Sequence, residues 1–216
     1  MGVKDRVKEI HEKLLIIGAG GHGKVVADIA LQTKRYKKIG FLDDDETLQD
    51  ILGIRVEGKS EKALEHIEAA DIFVAVGNAE IRKNIQSQLM ERGAVIPTLI
   101  HPNVVIGKNV RIGEGTVIMA GAVINPDSRI GRGCIINTCA SVDHDCRIGD
   151  YVHVSVGAHL CGTVTIGEGT WVGAGVMVSN NIDICEGCMV GTGAVVVKTI
   201  SEAGVYTGVP AKRSKK

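Results

Sequence analysis

The sequence lacks several features that mark common functional classes. Its 216 residues carry 25 Lys and Arg against 25 Asp and Glu, so the formal net charge is zero. Aromatic residues make up only 3% of the chain, with two Phe and one Trp. Because there is no basic excess to attract phosphate backbones, we do not expect a protein that binds nucleic acid.

Long apolar runs are also missing, although 44% of the residues are hydrophobic. Runs such as Leu14–Ile17 are far shorter than the roughly 20 residues of a membrane-spanning helix. Near the start, Lys4, Asp5 and Arg6 interrupt any signal-like stretch, and a myristoylation signal would have Ser or Thr at position 6. We therefore expect a globular, cytoplasmic protein without membrane insertion.

The sequence is instead rich in glycine, with 28 residues, and it contains a repeat. From Ile100 to Val196 every sixth residue is Ile, Val or Leu, and a small or β-branched residue stands four positions after each. Gly often follows the aliphatic directly, as at Gly107 and Gly113, where we expect it to relieve strain at a corner. Three such units close a triangular coil, so the repeat predicts a prism of nearly six stacked coils, about 27 Å tall.

All six cysteines lie inside this repeat. Cys134, Cys146 and Cys188 fall on the small inward position, and Cys161 and Cys185 on a position usually held by Gly or Asn. Cys185 and Cys188 have the spacing of half a zinc knuckle, but the sequence contains no second pair. We interpret the cysteines as small buried thiols, which favours a reducing compartment.

Residues 1–97 follow a different pattern. A buried strand at Leu14–Ile17 leads into Gly18–Gly23, which has the form Gly-x-Gly-x-x-Gly, and then into helical spacing over Lys24–Leu31. This order is typical of a nucleotide-binding βα turn, whose backbone amides approach a diphosphate. Further strands end at Phe41–Asp44 and Asp71–Val76.

The glycine motif leaves three interpretations open: a tight turn in an ordinary α/β domain, NAD binding, or binding of a smaller nucleotide. Residues 1–97 hold only half of a dinucleotide fold, and the repeat leaves no second domain for hydride chemistry. The pattern therefore favours a mononucleotide or a sugar nucleotide over the NAD of a dehydrogenase. Pro97 marks the expected boundary with the repeat.

Several motifs together resemble one known family: Gly18-Ala-Gly-Gly-His-Gly23, Phe41-Leu-Asp-Asp44, Gly77-Asn-Ala-Glu-Ile-Arg82, the hexapeptides, and Gly208-Val-Pro-Ala-Lys212. This is the sialic acid O-acetyltransferase and UDP-4-amino-sugar N-acetyltransferase family. The resemblance implies an α/β plus all-β fold, with a small N-terminal Rossmann-like βαβ domain followed by a left-handed parallel β-helix. The expected divisions are a sugar-nucleotide domain over 1–97, the β-helix acetyltransferase domain over 98–200, and a C-terminal segment over 201–216.

The resemblance also implies an activity. It looks nearest to the branch that uses acetyl-CoA to acetylate the C4 amine of a UDP-4-amino-4,6-dideoxy sugar, as in the UDP-N-acetylbacillosamine pathway, by direct transfer in a ternary complex. A sialic acid O-acetyltransferase, a GDP-perosamine N-acetyltransferase and a non-catalytic sugar-nucleotide-binding protein remain as alternatives. The sugar stereochemistry, the pathway served and the preferred acyl chain stay open.

The family is trimeric, with each active site between neighbouring chains, so the resemblance implies a homotrimer. Aliphatic residues on the outer faces of the predicted prism agree with side-by-side packing of three prisms, which would cover Val105, Val123, Ile135, Val156 and Val195.

Within the repeat, the resemblance implies that His144 is the general base that takes the proton of the acceptor amine. Asp145 would strengthen it, with Asp143 as a competing carboxylate, while a solvated corner histidine is the plain alternative. Because three repeats make one coil, Gly162 should lie directly against His144. Its amide is the expected donor to the oxyanion that forms during transfer.

The same match assigns binding roles. Asn137 would line the acceptor pocket, and His153, Ala174 and Thr192 would contact acetyl-CoA. The UDP part of the acceptor would be held by a set of N-terminal residues: Gly20, Gly21, His22, Asp43, Asp44 and Gly77.

Two further groups of residues have the chemistry of ligand sites. Lys212 and Arg213 are candidates for contact with CoA phosphates, a non-binding basic tail being the alternative. No metal is expected, because His153 and His159 are one repeat apart and so lie on successive sides of the prism, where they and His144 do not converge on one ion.

Overall fold

The structure is a computed structural model that describes residues 11–214. Its N-terminal part is a five-stranded sheet of order β3-β4-β2-β1-β5, in which β3 alone is antiparallel to its neighbour. The strands are β1 (Lys13–Ile17), β2 (Lys38–Leu42), β3 (Asp50–Ile51), β4 (Ile54–Gly58) and β5 (Asp71–Val74). The helices are α1 (Gly21–Thr33), α2 (Ala79–Glu91) and a 3-10 helix (Ser60–His66).

Strand β1 forms the centre of this part because both of its faces are buried. Leu14 and Ile16 pack on one side with residues of α1, including Val26. Leu15 and Ile17 pack on the other side with Leu89 of α2 and with other buried residues. A continuous apolar run is what a parallel strand covered on both faces requires. Helices α1 and α2 therefore lie on opposite sides of the sheet. The carboxyl end of β1 leads directly into the glycine motif.

The predicted prism is present. Within residues 11–214, seventeen two-residue strands follow one another at the predicted spacing: β6 (Leu99–Ile100), β7 (Val105–Ile106), β8 (Arg111–Ile112), β9 (Val117–Ile118), β10 (Val123–Ile124), β11 (Arg129–Ile130), β12 (Ile135–Ile136), β13 (Ser141–Val142), β14 (Arg147–Ile148), β15 (His153–Val154), β16 (His159–Leu160), β17 (Thr165–Ile166), β18 (Trp171–Val172), β19 (Met177–Val178), β20 (Asp183–Ile184), β21 (Met189–Val190) and β22 (Val195–Val196).

Each of these strands pairs in parallel with the strand three repeats away, which gives the prism three faces. The first face contains β6, β9, β12, β15, β18 and β21, extended by β23 (Val205–Thr207) and β24 (Lys212–Arg213). The second face contains β7, β10, β13, β16, β19 and β22, and the third contains β8, β11, β14, β17 and β20. The left-handed parallel β-helix and the Rossmann-like domain before it are confirmed. The domain boundaries at residues 97 and 200 stay predictions.

At the corners of the prism, the expectation that glycine directly after the aliphatic residue relieves backbone strain is wrong. Backbone φ is positive at every sixth residue from Asn109 to Gly193, three positions after the aliphatic, and Asp145 at φ 59° belongs to this series. Gly107 and Gly113 are not in it. A Cβ on Gly107 would lie 2.6 Å from the Pro126 nitrogen in the next coil, so glycine there is required by close approach of the chain rather than by strain.

The first face of the prism carries the N-terminal part, which corrects one expectation about the surface. Leu99, Val117 and Ile135 are at most 2% exposed and share a core with Val26 of α1. Ile135 is therefore covered within its own chain rather than by a neighbouring prism. Val105, on the second face, is 61% exposed as expected.

The thiols differ in burial. Cys134, Cys146 and Cys188 are buried as predicted, whereas Cys161 and Cys185 are partly buried. Cys139 is exposed, so the interpretation of all six as buried thiols is wrong for this one. Within residues 11–214 no helix is long and apolar enough to cross a bilayer.

Candidate active site

His144 lies at the corner between the second and third faces, where the chain turns from β13 to β14. The next residue, Asp145, has the left-handed conformation, which Asp adopts more readily than most residues. This turn brings the Asp145 Oδ2 to 2.8 Å from the His144 Nδ1. The hydrogen bond to Asp145 raises the pKa of His144 above its ordinary value.

The competing carboxylate has other partners. Asp143 Oδ1 accepts hydrogen bonds from Asn125 Nδ2 at 2.7 Å and from the His144 backbone amide at 2.8 Å. These two bonds, that from Asn125 first, lower the pKa of Asp143. Asp143 therefore stabilises the turn, while Asp145 is the carboxylate that forms a hydrogen bond with the imidazole of His144.

Gly162 stands against the imidazole, one coil after His144. A Cβ placed on Gly162 would lie 2.5 Å from both Cε1 and Nε2 of His144, so only glycine leaves room for the ring. The carbonyl of His144 accepts the Thr163 amide at 2.9 Å, which holds the two corners together. The Gly162 N–H has no acceptor among residues 11–214. The structure thus places a free amide beside the ring, and its catalytic role stays a prediction.

A groove at the corner between the first and second faces, called here the Trp171 groove, encloses about 390 Å³. It is lined by Asn137, His153, Ala174 and Thr192. The structure therefore brings together all four residues assigned to the acceptor pocket and to acetyl-CoA. It also adds Trp171, whose ring stacks on His153 with centroids 5.2 Å apart. Nothing in the sequence singled out Trp171, although its position one coil after His153 puts the two side by side.

His153 is held in the neutral state. Asn137 Nδ2 lies 3.1 Å from its Nε2, while its Nδ1 is buried without a hydrogen-bond partner among the described residues. Burial, followed by the charge of Arg82 and by His22, lowers the pKa of His153 to about 4. The ring therefore offers the groove an uncharged, partly apolar surface at neutral pH.

The N-terminal candidates fall into two groups. Gly20 caps α1 and Gly21 begins it, and a Cβ at either position would meet no atom within 4 Å, so the backbone there is open. His22 is largely buried, its Nε2 lacks a partner within residues 11–214, and burial lowers its pKa to about 4. Gly77 follows β5 and is also open. These residues leave backbone amides accessible near the start of α1, as a phosphate site requires.

Asp43 and Asp44 are engaged in the loop that follows β2. Asp43 Oδ2 accepts the Ala19 amide at 2.6 Å and Oδ1 accepts the Asp45 amide at 2.9 Å. Asp44 Oδ1 accepts the Ser60 amide at 2.9 Å. Asp43 therefore fixes the glycine loop directly. Whether either carboxylate also holds a ribose or base stays a prediction.

Arg82 is a residue whose role the sequence did not indicate. It is 1% exposed, and its guanidinium donates to the carbonyls of Val76 and Gly77 in the N-terminal part and of Gly133 and Tyr151 in the prism. Burial lowers its pKa to about 10, so it keeps its charge at neutral pH. Because its four partners belong to both parts, Arg82 fixes the glycine loops relative to the Trp171 groove.

The remaining candidates are less central. Arg213 bonds to Glu202 Oε2 at 2.5 Å and to the Ala203 carbonyl, while Lys212 is exposed in β24. His159 is paired with Ser141 at 2.8 Å on the second face, apart from His144 and His153. Among residues 11–214 no three His, Cys, Asp or Glu side chains gather as metal ligands.

Models of known families match both parts of the chain. The model described as the PglD N-terminal domain matches residues 13–89, and that of the bacterial transferase hexapeptide (six repeats) matches residues 97–126. UDP-N-acetylbacillosamine N-acetyltransferase of Bacillus subtilis (strain 168) is 38% identical over 114 residues, which span 50% of this chain and about half, 52%, of that protein.

Two solved structures are similar over almost the whole chain. The acetyltransferase domain of PglB from Neisseria gonorrhoeae, in complex with acetyl coenzyme A, is 41% identical with a TM-score of 0.91, covering 94% of this chain and 100% of that one. PerB from Caulobacter crescentus, in complex with CoA and GDP-perosamine, is 35% identical with a TM-score of 0.88, covering 94% and 97%.

Proposed function

This chain belongs to the family of hexapeptide-repeat sugar N-acetyltransferases, and we propose that it moves the acetyl group of acetyl-CoA to the C4 amine of a UDP-4-amino-4,6-dideoxy sugar. The observation that supports this most directly is the corner at which His144, Asp145 and Gly162 meet. A histidine whose basicity is raised by a carboxylate, beside an amide with no other partner among the described residues, is suited to acyl transfer to an amine.

The bond between Asp145 and Nδ1 determines which nitrogen reacts. With Nδ1 donating to the carboxylate, Nε2 carries the lone pair, and Nε2 lies with Cε1 on the edge of the ring that faces Gly162. An amine that is ammonium at neutral pH must lose a proton before or while it attacks the thioester. Nε2 takes that proton, and the raised pKa of His144 makes it the better acceptor.

The transfer is direct. The amine nitrogen forms a bond to the thioester carbonyl carbon, the carbonyl oxygen becomes an oxyanion beside the Gly162 N–H, and the C–S bond then breaks. His144 passes the proton that it holds to the departing CoA sulfur, and the other proton that the ammonium loses on becoming an amide goes to solvent. The inward thiols are poor nucleophiles for an acyl-enzyme route, because burial raises the pKa of Cys134 to about 12 and that of Cys188 to about 11.

The complete site needs two copies of the chain. His144 stands at the corner between the second and third faces, whereas Asn137 and His153 line the groove at the corner between the first and second faces. In a homotrimer of prisms packed side by side, the His144 corner of one copy meets the Trp171 groove of its neighbour. The exposed aliphatics of the second face, such as Val105, are then covered by the same packing.

The UDP acceptor is proposed because the N-terminal part matches the PglD model and the curated relative is named for a UDP sugar. The second candidate acceptor is a GDP-4-amino sugar, favoured by the similarity to the enzyme solved with GDP-perosamine. Both candidates place an amine at the same reacting position, so the proposed chemistry is unchanged between them.

The test is release of CoA thiol by the purified protein. We expect release only when acetyl-CoA and a UDP-4-amino sugar are both present, and the product mass to rise by one acetyl group. His144→Ala should lower kcat by roughly 10²- to 10⁴-fold while acetyl-CoA still binds. His66→Ala, which removes a histidine at the end of the 3-10 helix, is the matched control and should keep full activity. Thiol release by His144→Ala at the wild-type rate would contradict the base assignment.

A further inference from the structure

Trp171 is the first exposed residue in a column of outward side chains on the first face of the prism. The column stands in register, one residue per coil, and consists of Leu99, Val117, Ile135, His153, Trp171 and Met189. The N-terminal part covers its first three members, which are at most 2% exposed, and His153 is partly buried. Trp171 is 44% and Met189 46% exposed. The apolar column therefore continues beyond the edge of the N-terminal part, and Trp171 stands at that edge.

The indole of Trp171 is held in one position, and its hydrogen-bonding group is already used. Its Nε1 donates to Ser155 Oγ at 2.7 Å, and Ser155 is itself buried. The ring stacks on His153 at an interplanar angle of 23°. His153 offers no nitrogen either, because its Nε2 lies 3.1 Å from Asn137 Nδ2 and its Nδ1 is buried. The two rings therefore present a fixed, carbon-rich surface that gives a polar group no hydrogen bond.

This surface lies between the two ends of the proposed acceptor site. At one end is the glycine loop, where the diphosphate of the acceptor is expected, and His22 of that loop is close enough to His153 to lower its pKa. At the other end is the His144 corner of a neighbouring copy, which meets the Trp171 groove in the proposed trimer. A sugar ring that connects the diphosphate to the reacting amine therefore passes over His153 and Trp171.

We propose that Trp171 selects 6-deoxy acceptors by packing its indole against the C6 methyl group of the sugar. This inference rests on the proposed function, since it assumes that the sugar amine reaches His144. A methyl group gains free energy when it leaves water for an apolar surface. The hydroxymethyl group of an ordinary hexose would lose its hydrogen bonds to water there and find no partner on either ring. We expect a preference for the methyl group of roughly 10- to 100-fold, which is the range for an apolar pocket that excludes a single hydroxyl.

The pantetheine arm of acetyl-CoA is the competing occupant of this surface. The residues assigned to acetyl-CoA, Ala174 and Thr192, lie in turns at the corner between the first and second faces. Trp171 lies in β18 on the first face itself, on the side of the corner that leads to the glycine loop. The acceptor, which enters from that loop, therefore covers the indole, and the pantetheine arm follows the corner.

The proposal is tested with two UDP-4-amino sugars that differ only at C6, which is a methyl group in one and a hydroxymethyl group in the other. We expect wild-type protein to favour the methyl sugar roughly 10- to 100-fold in kcat/KM. Trp171→Gln exchanges the apolar surface for an amide and should reduce this ratio about tenfold, without changing the KM of acetyl-CoA. Trp171→Phe is the matched variant, because it keeps an aromatic ring and should keep most of the preference.

Fluorescence provides a measure that does not depend on turnover. Trp171 is the one tryptophan of the chain, so the emission of wild-type protein under selective excitation reports on this indole alone. With acetyl-CoA absent, the methyl sugar should shift the emission to shorter wavelength as it displaces water from the ring, whereas UDP should cause a much smaller shift. The Kd of the hydroxymethyl sugar, from the same titration, should be higher by a factor similar to the kinetic ratio.

Three kinetic results would overturn the proposal. They are equal kcat/KM for the two sugars in wild-type protein, an unchanged ratio in Trp171→Gln, and a rise in KM confined to acetyl-CoA, which would place the indole against the pantetheine arm. If Trp171→Gln fails to fold, as judged by urea unfolding, the wild-type titrations still decide. Equal Kd values for the two sugars in those titrations would also overturn the proposal.

The outcomes separate the role of Trp171 from the proposed function. If the methyl sugar shifts the emission but neither sugar supports thiol release, the proposed transfer is wrong, and the two Kd values still judge the selection. If thiol is released while the emission responds to neither sugar, the selection by Trp171 is wrong and the transfer stands.

Discussion

Substitution of Gly162 by Ala tests the proposed geometry with a single methyl group. Gly162 is not among the residues with positive φ, so the backbone accepts an alanine. The substitution also keeps the backbone N–H. Its only direct effect is the new Cβ, which would lie 2.5 Å from Cε1 and Nε2 of His144.

The size of the effect follows from that distance. Carbon atoms in contact stand about 3.5–4.0 Å apart, so the imidazole must move by about 1 Å. The ring is exposed and can move, at the expense of its 2.8 Å contact with Asp145. A misplacement of about 1 Å in a catalytic group can reduce the rate about 10²-fold, which corresponds to about 2.7 kcal/mol in the barrier. The free energy of unfolding should change by less than about 1 kcal/mol, because the displaced ring is on the surface.

The assay is a double-mutant cycle in CoA thiol release. We expect Gly162→Ala to lower kcat about 10²-fold, with little change in the KM of acetyl-CoA. In a His144→Ala background the ring is absent and the methyl group has nothing to displace. The second substitution should then have almost no further effect, so the two changes are strongly non-additive.

Two results would refute this reasoning. Wild-type kcat in Gly162→Ala would mean that the position of the imidazole does not matter to the reaction. Additive losses in the double variant would mean that Gly162 acts on something other than His144. Unfolding by urea, followed for each variant, separates both results from a loss of folded protein.

Three further predictions concern charge and burial. Asp145→Asn removes the carboxylate that raises the pKa of His144, so the acidic limb of the kcat/KM profile should move to lower pH and kcat should fall. His22 and His153 have pKa values lowered from 6.5 to about 4, so the unfolded chain binds protons first as the pH falls. As the pH falls from about 6.5 to about 4, each of these histidines should therefore lower the free energy of unfolding by up to about 3 kcal/mol. Denaturant unfolding at a series of pH values measures this loss. Arg82→Met leaves four carbonyls without their donor and should lower the free energy of unfolding by at least about 2 kcal/mol.

Each of these has a control. An acidic limb that stays in place in Asp145→Asn would show that another group sets it, such as the acceptor amine. His153→Gln should flatten part of the loss of stability at low pH, and an unchanged slope would contradict the neutral, buried state of this ring. Arg92→Met, on the exposed end of α2, is the control for Arg82→Met and should leave the unfolding curve in place.

Residue spacing made the β-helix predictable from the sequence because each coil repeats the same local requirement. An inward aliphatic at every sixth position pairs each strand with the one three repeats away. That pairing also predicts the contact between Gly162 and His144. The N-terminal strands were predictable for a similar reason, since the continuous apolar run at Leu14–Ile17 fits a parallel strand buried on both faces.

The six-residue repeat did not predict which outer face of the prism is covered by the N-terminal part. It treats all three faces alike, so Ile135 is indistinguishable by spacing from the other outward aliphatics, although the N-terminal part covers it. Arg82 was part of a motif without an evident reason, because its four carbonyl partners come from segments far apart in the chain. The stacking of Arg111, Arg129 and Arg147 in register on the third face was likewise not evident, since each is an ordinary surface arginine by itself.

The sequence by itself determined the coil, its register and the pairing of the residues at each corner, because these depend on spacing along the chain. Only the tertiary structure decided which face of the prism is covered, which carboxylate meets the imidazole of His144, and which charges remain unpaired. Those outcomes depend on side-chain directions and on contacts between distant segments. A repeat constrains such contacts too weakly to specify them.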